Sequence, residues 1–447
     1  MGVAQRMAIL LGLLVSVWLL PTTEVGAQTG GDVQQQFDQA FDHMLQDPSN
    51  LDKTFEYAEL GIKIGDYEAA ISALERMLLY NPDLPRVRLE LGVLYFRLGS
   101  YAIARTYLTR AVVGANVPDD VRARVAIFLD EIDKRQSSHQ FSGSIFGGTR
   151  FQTNANAGPE RPAISLLDAE GVLDNEFTKK TDWNVFLSGS LRHVYDPHVY
   201  SGDVLETNAL LYVSQQTNQH QLDLVYTEVS IGPRAQFMRE FIENASWRPH
   251  ITASMVNLDE SPYYYTFGAG FDFDKQFTNR TNGAFTTSFV RKKYRADAGR
   301  STARQQNGHE AEMEVNFRHR ATDNLIFTSS AGITQTGAVE NLNGNRELSA
   351  GIGTIVIYGA PFHLTDGNWT TSLSGELLYT RYNAPDSSID SFTKRNDHEI
   401  NATLLTSAPI NKAWSVTSTV ARTVVDSNFL NYSYNNWAAS IGASIRF

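Results

Sequence analysis

From Trp437 to Phe447 the chain alternates without a break: Trp437, Ala439, Ile441, Ala443, Ile445 and Phe447 are apolar, while Ala438, Ser440, Gly442, Ser444 and Arg446 are small or polar. Successive side chains of a strand point to opposite faces, so this period of two suits a strand with one face in lipid and the other in a polar lumen. The closing aromatic resembles the signal that outer-membrane barrels show to their insertion machinery, and Trp437 and Phe447 are the residues expected to carry it. An edge strand of a soluble sandwich could share these residues, but it would leave the rest of the chain unexplained.

At the other end, Arg6, an apolar run from Met7 to Leu20, Pro21 and then Val25-Gly26-Ala27 have the layout of a secretory signal peptide, expected over residues 1–27. None of the 447 residues is cysteine, which excludes a lipid-modified cysteine, disulfides and thiolate metal sites. Beyond the leader no run of apolar residues is long enough for a spanning helix. A formal charge of -11 argues against a nucleic-acid partner, which would want a basic face. Such a chain belongs in the envelope of a Gram-negative cell, in contact with outer-membrane lipids and barrel insertion machinery.

Residues 51 to 135 repeat at a 34-residue period. Gly65-Asp66-Tyr67-Glu68-Ala69-Ala70 slides onto Gly99-Ser100-Tyr101-Ala102-Ile103-Ala104, Leu74 onto Leu108, and Met77 onto Ala111. This resembles the tetratricopeptide repeat, in which paired helices need a glycine turn, an aromatic after it and a small residue where they touch. The second unit matches better, because Tyr57, Ala58 and Gly61 stand in the first where Leu91, Gly92 and Tyr95 stand in the second. Flanking segments around Phe37, Phe41 and Met44, and around Val125, Phe128, Leu129 and Ile132, have helical spacing and are expected to cap the two ends. The expected arrangement is a periplasmic helical domain over 28–135, a linker at 136–140 and a barrel over 141–447. In fold class this is α and β in separate domains: a small α-solenoid followed by a transmembrane antiparallel β-barrel.

After Ser138 the period changes from helical to alternating. Fourteen strands follow, at about 139–156, 182–196, 204–217, 219–237, 248–258, 262–277, 282–295, 308–321, 323–337, 345–360, 368–383, 395–409, 413–426 and 434–447. With the first strand running outward, the longer connections mostly fall outside and the shorter ones inside, as in such barrels. Connections near 218, 259–261, 238–247 and 361–367 run against that rule. Trp183, Trp369, Trp414, Tyr195, Tyr379 and Tyr382 read as aromatic girdle at the membrane interfaces.

In the strand at 308–321, Glu310, Glu312, Glu314, Asn316, Arg318 and Arg320 alternate with apolar residues. On the lipid face each charge would cost a few kcal/mol near the midplane, so they are expected to line the lumen. They either pair with Arg291, Lys293 and Arg295 of the preceding strand or line a substrate path, and the two roles are compatible. The ten histidines are scattered, without triad, metal-site or phosphate-loop spacing, so neither an enzyme nor a bound cofactor is expected.

The order signal peptide, short tetratricopeptide module and barrel of about fourteen strands resembles the surface lipoprotein assembly modifier (Slam) family, from about Asp32 to Phe447. The stretch Phe141-Ser142-Gly143-Ser144-Ile145-Phe146-Gly147-Gly148 to Asn154-Ala155-Asn156 looks like that family's first strand. The resemblance implies a monomeric translocator that receives an exported client protein, a surface lipoprotein or a secreted haem-binding protein, and delivers it to the cell surface. Groove positions carried over from the repeat family are Phe55, Glu59, Ile62 and Lys63 in the first unit. In the second they are Arg86, Leu89, Val93, Phe96 and Arg97. Phe55, Leu89 and Phe96 could equally pack on the capping helices. An exopolysaccharide export porin, which also joins such repeats to a barrel, and a general porin are the other readings.

Overall fold

A computed structural model describes residues 30–47, 50–113, 117–174, 177–197, 203–235, 242–365 and 367–447. The expected leader at 1–27 lies outside them. The described residues form two compact units, one ending at Ser137 and the other beginning at Ser138.

The first unit consists of six helices: α1 (Gly30–Gln46), α2 (Leu51–Ile64), α3 (Tyr67–Tyr80), α4 (Pro85–Arg97), α5 (Tyr101–Ala111) and α6 (Asp119–Gln136). Their ends follow from the sequence. The Asn50 side chain accepts the amides of Asp52 and Lys53 at the start of α2, and Asp66 accepts that of Ala69 at the start of α3. Pro85 opens α4, where its missing N–H costs nothing. Gly65 and Gly99 sit at φ 86° and 75°, a left-handed conformation that makes the turn within each pair. Gly92 is needed for another reason, since a Cβ there would lie 2.6 Å from Leu108 Cγ, where α4 crosses α5.

Two apolar clusters fill this unit. One packs α1 to α4 around Leu74 and Leu91, and the other packs α4, α5 and α6 around Leu108, Val121 and Val125. Truncating a fully buried leucine of this kind costs about 2–5 kcal/mol. Between the repeats, Glu75 accepts hydrogen bonds from the Tyr95 hydroxyl at 2.9 Å and the Tyr107 hydroxyl at 3.0 Å, the two rings being stacked 5.6 Å apart. Burial first, and then the Glu75 carboxylate, push the Tyr107 hydroxyl up to about 12 from 10.0. The folded unit therefore keeps a proton that the unfolded chain releases above about pH 10, so this contribution to stability is whole below pH 10 and lost as the pH rises towards 12. The helical melting temperature of the full chain, followed by circular dichroism, should fall across that window. In Tyr107→Phe the fall should be shallower; an unchanged slope would contradict this account.

The second unit is a closed barrel of fourteen antiparallel strands, with β1 (His139–Gln152) hydrogen-bonded to the last strand. The others are β4 (Asp182–Tyr195), β5 (Val204–Gln216), β6 (Leu224–Arg234), β7 (Ala245–Leu258), β8 (Ser261–Thr278) and β9 (Thr281–Tyr294). They continue with β10 (Gly308–Thr322), β11 (Leu325–Ala338), β12 (Asn345–Tyr358), β13 (Trp369–Tyr382), β14 (Asn396–Pro409), β15 (Trp414–Ser427) and β16 (Tyr434–Arg446). Each strand pairs with its sequence neighbours, so β1 begins and β16 ends at the same end of the barrel. The strands read from alternation agree with this set. The largest shift is at β6, which starts at Leu224 because a short 3-10 turn at His220–Leu222 takes up the preceding residues. The tight connection expected near 218 is thus a longer one. Only Ser137 and Ser138 separate α6 from β1, so the expected linker at 136–140 is largely helix and strand.

One element was not legible. Within the first long connection, β2 (Ala163–Leu166) and β3 (Ala169–Val172) form a hairpin turned by Leu167 and Asp168, both at positive φ. Such a turn normally announces itself with Asn-Gly or Asp-Gly. Here it is held from outside, the amides of Leu167 and Asp168 donating to the carbonyls of Ser388 and Ile389 in the β13–β14 connection.

The outward face is apolar. Trp183, Val185, Leu187 and Leu191 on β4, Phe267 on β8, and Trp437 and Ile441 on β16 are all exposed there. A closed barrel with such a face is the architecture of an outer-membrane protein. No described helix is long and apolar enough to cross a membrane. Phe447 extends the outward row of β16 and exchanges backbone hydrogen bonds with Gly143. Two aromatics point elsewhere, Tyr382 among them although the sequence places it in the girdle. Tyr263 is the extra residue of a bulge and packs inward on Tyr264 and Tyr294, and Tyr382 stacks beneath the Arg395 guanidinium.

Candidate functional site

Register fixes which side chains meet in the lumen. On β10 the inward row is Glu310, Glu312, Glu314, Asn316, Arg318 and Arg320, opposite Val290, Ser288, Thr286, Ala284 and Asn282 of β9 for the first five. Arg291 and Lys293 therefore stand on the outward face, and Arg295 follows the strand. The pairing expected between these cations and the β10 carboxylates does not form, because every step along β9 reverses the face. The cation that does point inward is Lys292, which pairs with Glu310; Thr336 Oγ1 also donates to Glu310, at 3.1 Å.

Following the same parity around the barrel gathers further carboxylates. Glu228 on β6, Glu347 on β12, Glu376 on β13 and Glu399 on β14 join Glu312 and Glu314 on the inner wall. Glu376 feels Glu399, Glu347 and Glu314, and Glu312 feels Glu310, Glu314 and Glu228. Among the described residues, Glu312, Glu314 and Glu376 make no ion pair. Glu312 is exposed although it points into the barrel, so water-sized space lies beside it. Carboxylates lining such a passage favour cationic and neutral segments over anionic ones.

Nearer the terminal end the charges are balanced. Glu206 on β5 accepts from Arg192 at 2.6 Å and Arg234 at 2.9 Å and lies 3.3 Å from Arg248. Arg234 also reaches Asp274 at 2.6 Å, and Arg248 reaches Asp272 at 2.9 Å. The wall is uneven in bulk as well. Towards the loop end, Phe146, Phe186, Tyr212, Tyr226, Tyr264 and Tyr294 fill the wall of β1, β4, β5, β6, β8 and β9, with the Arg150 guanidinium 5.0 Å over the Phe186 ring. The facing strands β11 and β12 offer Ser330, Gly332, Ser349, Gly351 and Gly353 instead. None of these groupings stands out locally in the sequence; each appears once alternation is combined with strand pairing.

The positions carried over for the helical groove divide. Leu89 and Val93 are buried against α6, and Phe96 meets Phe128 of α6 edge-on at 5.4 Å with the Arg135 guanidinium 4.9 Å above it. Leu89 and Phe96 are thus packing residues, since α6 covers the face they would have offered. Phe55 is half-buried on the first cluster, and Arg86 is held by Asp120 at 3.3 Å. Lys63 and Arg97 remain exposed, one repeat period apart at the ends of α2 and α4, and make no ion pair among the described residues. Pairs Arg86–Asp120, Glu90–Arg124 and Tyr101–Arg135 are each 34 residues apart, so α6 sits on α4 as the first helix of a third repeat would.

A tetratricopeptide repeat family model (TPR_9) matches residues 57–127. No curated protein matches the chain. Among solved structures, the chain is similar to SycD, a type III secretion translocator chaperone of Yersinia enterocolitica. The two are 16% identical over 24% of this chain and 75% of that one, with a TM-score of 0.23. It is also similar to TTC0263, a thermophilic TPR protein of Thermus thermophilus, at 23% identity over 22% of this chain and 50% of that one, with a TM-score of 0.21.

Proposed function

We propose that this chain is an outer-membrane translocator whose helical module receives an exported client in the periplasm and whose barrel delivers it to the cell surface. One observation supports the reading above the others: a tetratricopeptide module, a scaffold for protein contacts, is joined in one chain to a fourteen-strand barrel whose inner wall carries unpaired carboxylates and a strip of small residues. Barrels of eight strands are filled by their own side chains and those of sixteen or more hold an aqueous channel, so fourteen strands leave room inside. In this orientation β1 runs outward and the terminal end is periplasmic.

Client and module would meet through exposed polar groups. Lys63 and Arg97 supply two cations at equivalent places on α2 and α4, suited to an acidic segment of the client. By the Slam resemblance the client is a surface lipoprotein or a secreted haem-binding protein. The acidic inner wall speaks against an anionic polysaccharide as cargo.

Deleting residues 30–136 should leave an inserted barrel and abolish client display, measured by protease shaving of intact cells that express this chain beside its exported partner. Normal display after that deletion would remove the receiving role of the module. Lys63→Glu with Arg97→Glu should reduce display severalfold without lowering barrel levels.

A further inference from the structure

Above the apolar band at the loop end lies a cavity of about 250 Å³ lined by Tyr265, Lys293, Arg295, Arg304 and Asn307. Tyr265 and Lys293 are registered partners on β8 and β9, both on the outward face. Arg295 follows β9, and Arg304 comes from the short 3-10 turn at Ala303–Gln306. The turn is fixed in place: Asn307 accepts the Tyr294 amide at 2.6 Å through its side chain and the Val339 amide at 2.7 Å through its carbonyl. The three cations converge from a strand, its end and a braced loop.

None of the three makes an ion pair among the described residues. The nearby loop acid, Asp297, is taken by Arg300. Below the cavity the outward face becomes lipid-like within two rungs. Phe267 stands opposite Arg291, and Ala269 opposite Phe289, with Phe267 and Phe289 both more than half exposed. Each rung is two residues, or about 6.8 Å of strand. Cations above exposed aromatics repeat, in protein, the order of a phosphorylated headgroup above its acyl chains.

We propose that this cavity binds the phosphorylated headgroup of an outer-leaflet lipopolysaccharide, its phosphate held by Lys293, Arg295 and Arg304 and its acyl chains lying on Phe267 and Phe289. Guanidinium groups bind phosphate through paired N–H donors and the lysine adds a point charge, while the Tyr265 ring suits the interfacial depth. The source of the phosphate rests on the orientation given above, in which the loop end faces outward. Binding here would anchor the β8–β10 side of the barrel at a fixed depth.

The test uses the full chain purified in detergent, with lipid binding read by native mass spectrometry and by thermal shift. The probes are bisphosphorylated lipid A, its dephosphorylated form, cardiolipin and inorganic phosphate. Bisphosphorylated lipid A should bind and raise the melting temperature. Affinity should fall at least tenfold for the dephosphorylated form and for the triple variant Lys293→Gln, Arg295→Gln, Arg304→Gln, whereas Lys293→Arg alone should retain binding. These side chains are exposed, so the triple variant should still show the compact electrophoretic form of a folded barrel; if it does not, the single variant Arg304→Gln replaces it, with an expected loss of at least threefold. Equal binding by the variant, or by dephosphorylated lipid, overturns the site. Equal protection by inorganic phosphate overturns the lipid as its ligand, and a preference for cardiolipin overturns the outer-leaflet source. Client display is measured on the unaltered protein, so a failure there leaves the lipid result standing.

Discussion

Glu206→Ala is expected to lower the stability of the barrel by about 3–5 kcal/mol, the loss typical when one member of a buried ionic cluster is removed and its partners are stranded. Glu206 is only 2% exposed, and Arg192, Arg234 and Arg248 all lie within 3.3 Å of it. The cluster holds three guanidinium groups and the three carboxylates of Glu206, Asp272 and Asp274. Without Glu206, Arg234 and Arg248 keep Asp274 and Asp272, but Arg192 has no other ion pair among the described residues. Three positive charges then face two negative ones inside the wall. Glu206→Gln should cost less, because the amide oxygen can still accept from one guanidinium. The measurement is the temperature at which the compact electrophoretic form converts to the extended one, compared across the two variants. Equal conversion temperatures for Glu206→Ala and the parent chain would show that water in the lumen already screens the cluster.

The barrel was legible because membrane barrels write their architecture at period two. On β4, Trp183, Val185, Leu187 and Leu191 all fall at odd positions, hence on one face of a strand, and are exposed together outside the closed sheet. The 34-residue repeat was legible for a similar reason, since Gly65 and Gly99 each mark a left-handed turn that few other residues adopt. Alternation alone does not give partnership. Arg291 and Lys293 are adjacent in sequence to the inward Lys292 and close to Glu310, yet they lie on the other side of the wall. Only the register of β9 with β10 separates them.

The helical groove was harder for a different reason. Leu89 and Phe96 are positions carried over as groove-facing, but here α6 follows directly, burying Leu89 and packing against Phe96. The repeat pattern reports where a helix face points and is silent on whether the next helix arrives to cover it. The β2–β3 hairpin leaves no signal in the sequence because Leu167-Asp168 has no intrinsic preference for its turn. Its geometry is imposed by bonds to a connection more than two hundred residues away, among them the Ser391 amide donating to Asp168 at 2.7 Å. The lumen carboxylates lie between these cases: those of β10 stand out as charges in an alternating strand, but their gathering with Glu228, Glu347, Glu376 and Glu399 is a property of closure.

Closure depends on a seam where β1 meets β16, and two glycines make that seam possible. Gly148 and Gly442 are registered partners across it. A Cβ on Gly148 would lie 2.3 Å from the Ile441 carbonyl oxygen and 2.7 Å from Gly442 Cα, and one on Gly442 would lie 2.3 Å from the Gly147 carbonyl oxygen. These neighbours are backbone atoms of the partner strand, which cannot rotate away as a side chain could. Relief requires the strands to part, which would break the ladder joining the first strand to the last. Overpacking in an ordinary core costs about 1–3 kcal/mol because rotamers yield; here an edge would open inside lipid, where unpaired backbone groups cost several kcal/mol each. Gly148→Ala and Gly442→Ala should therefore each remove most of the folded barrel from the outer membrane, measured as the fraction in the compact electrophoretic form. Gly189→Ala, on the outward face of β4 with nothing within 4 Å of its new Cβ, should leave that fraction unchanged. Equal insertion of all three variants would mean that the seam can widen without opening, and that the two glycines are there for some reason other than the approach of the strands.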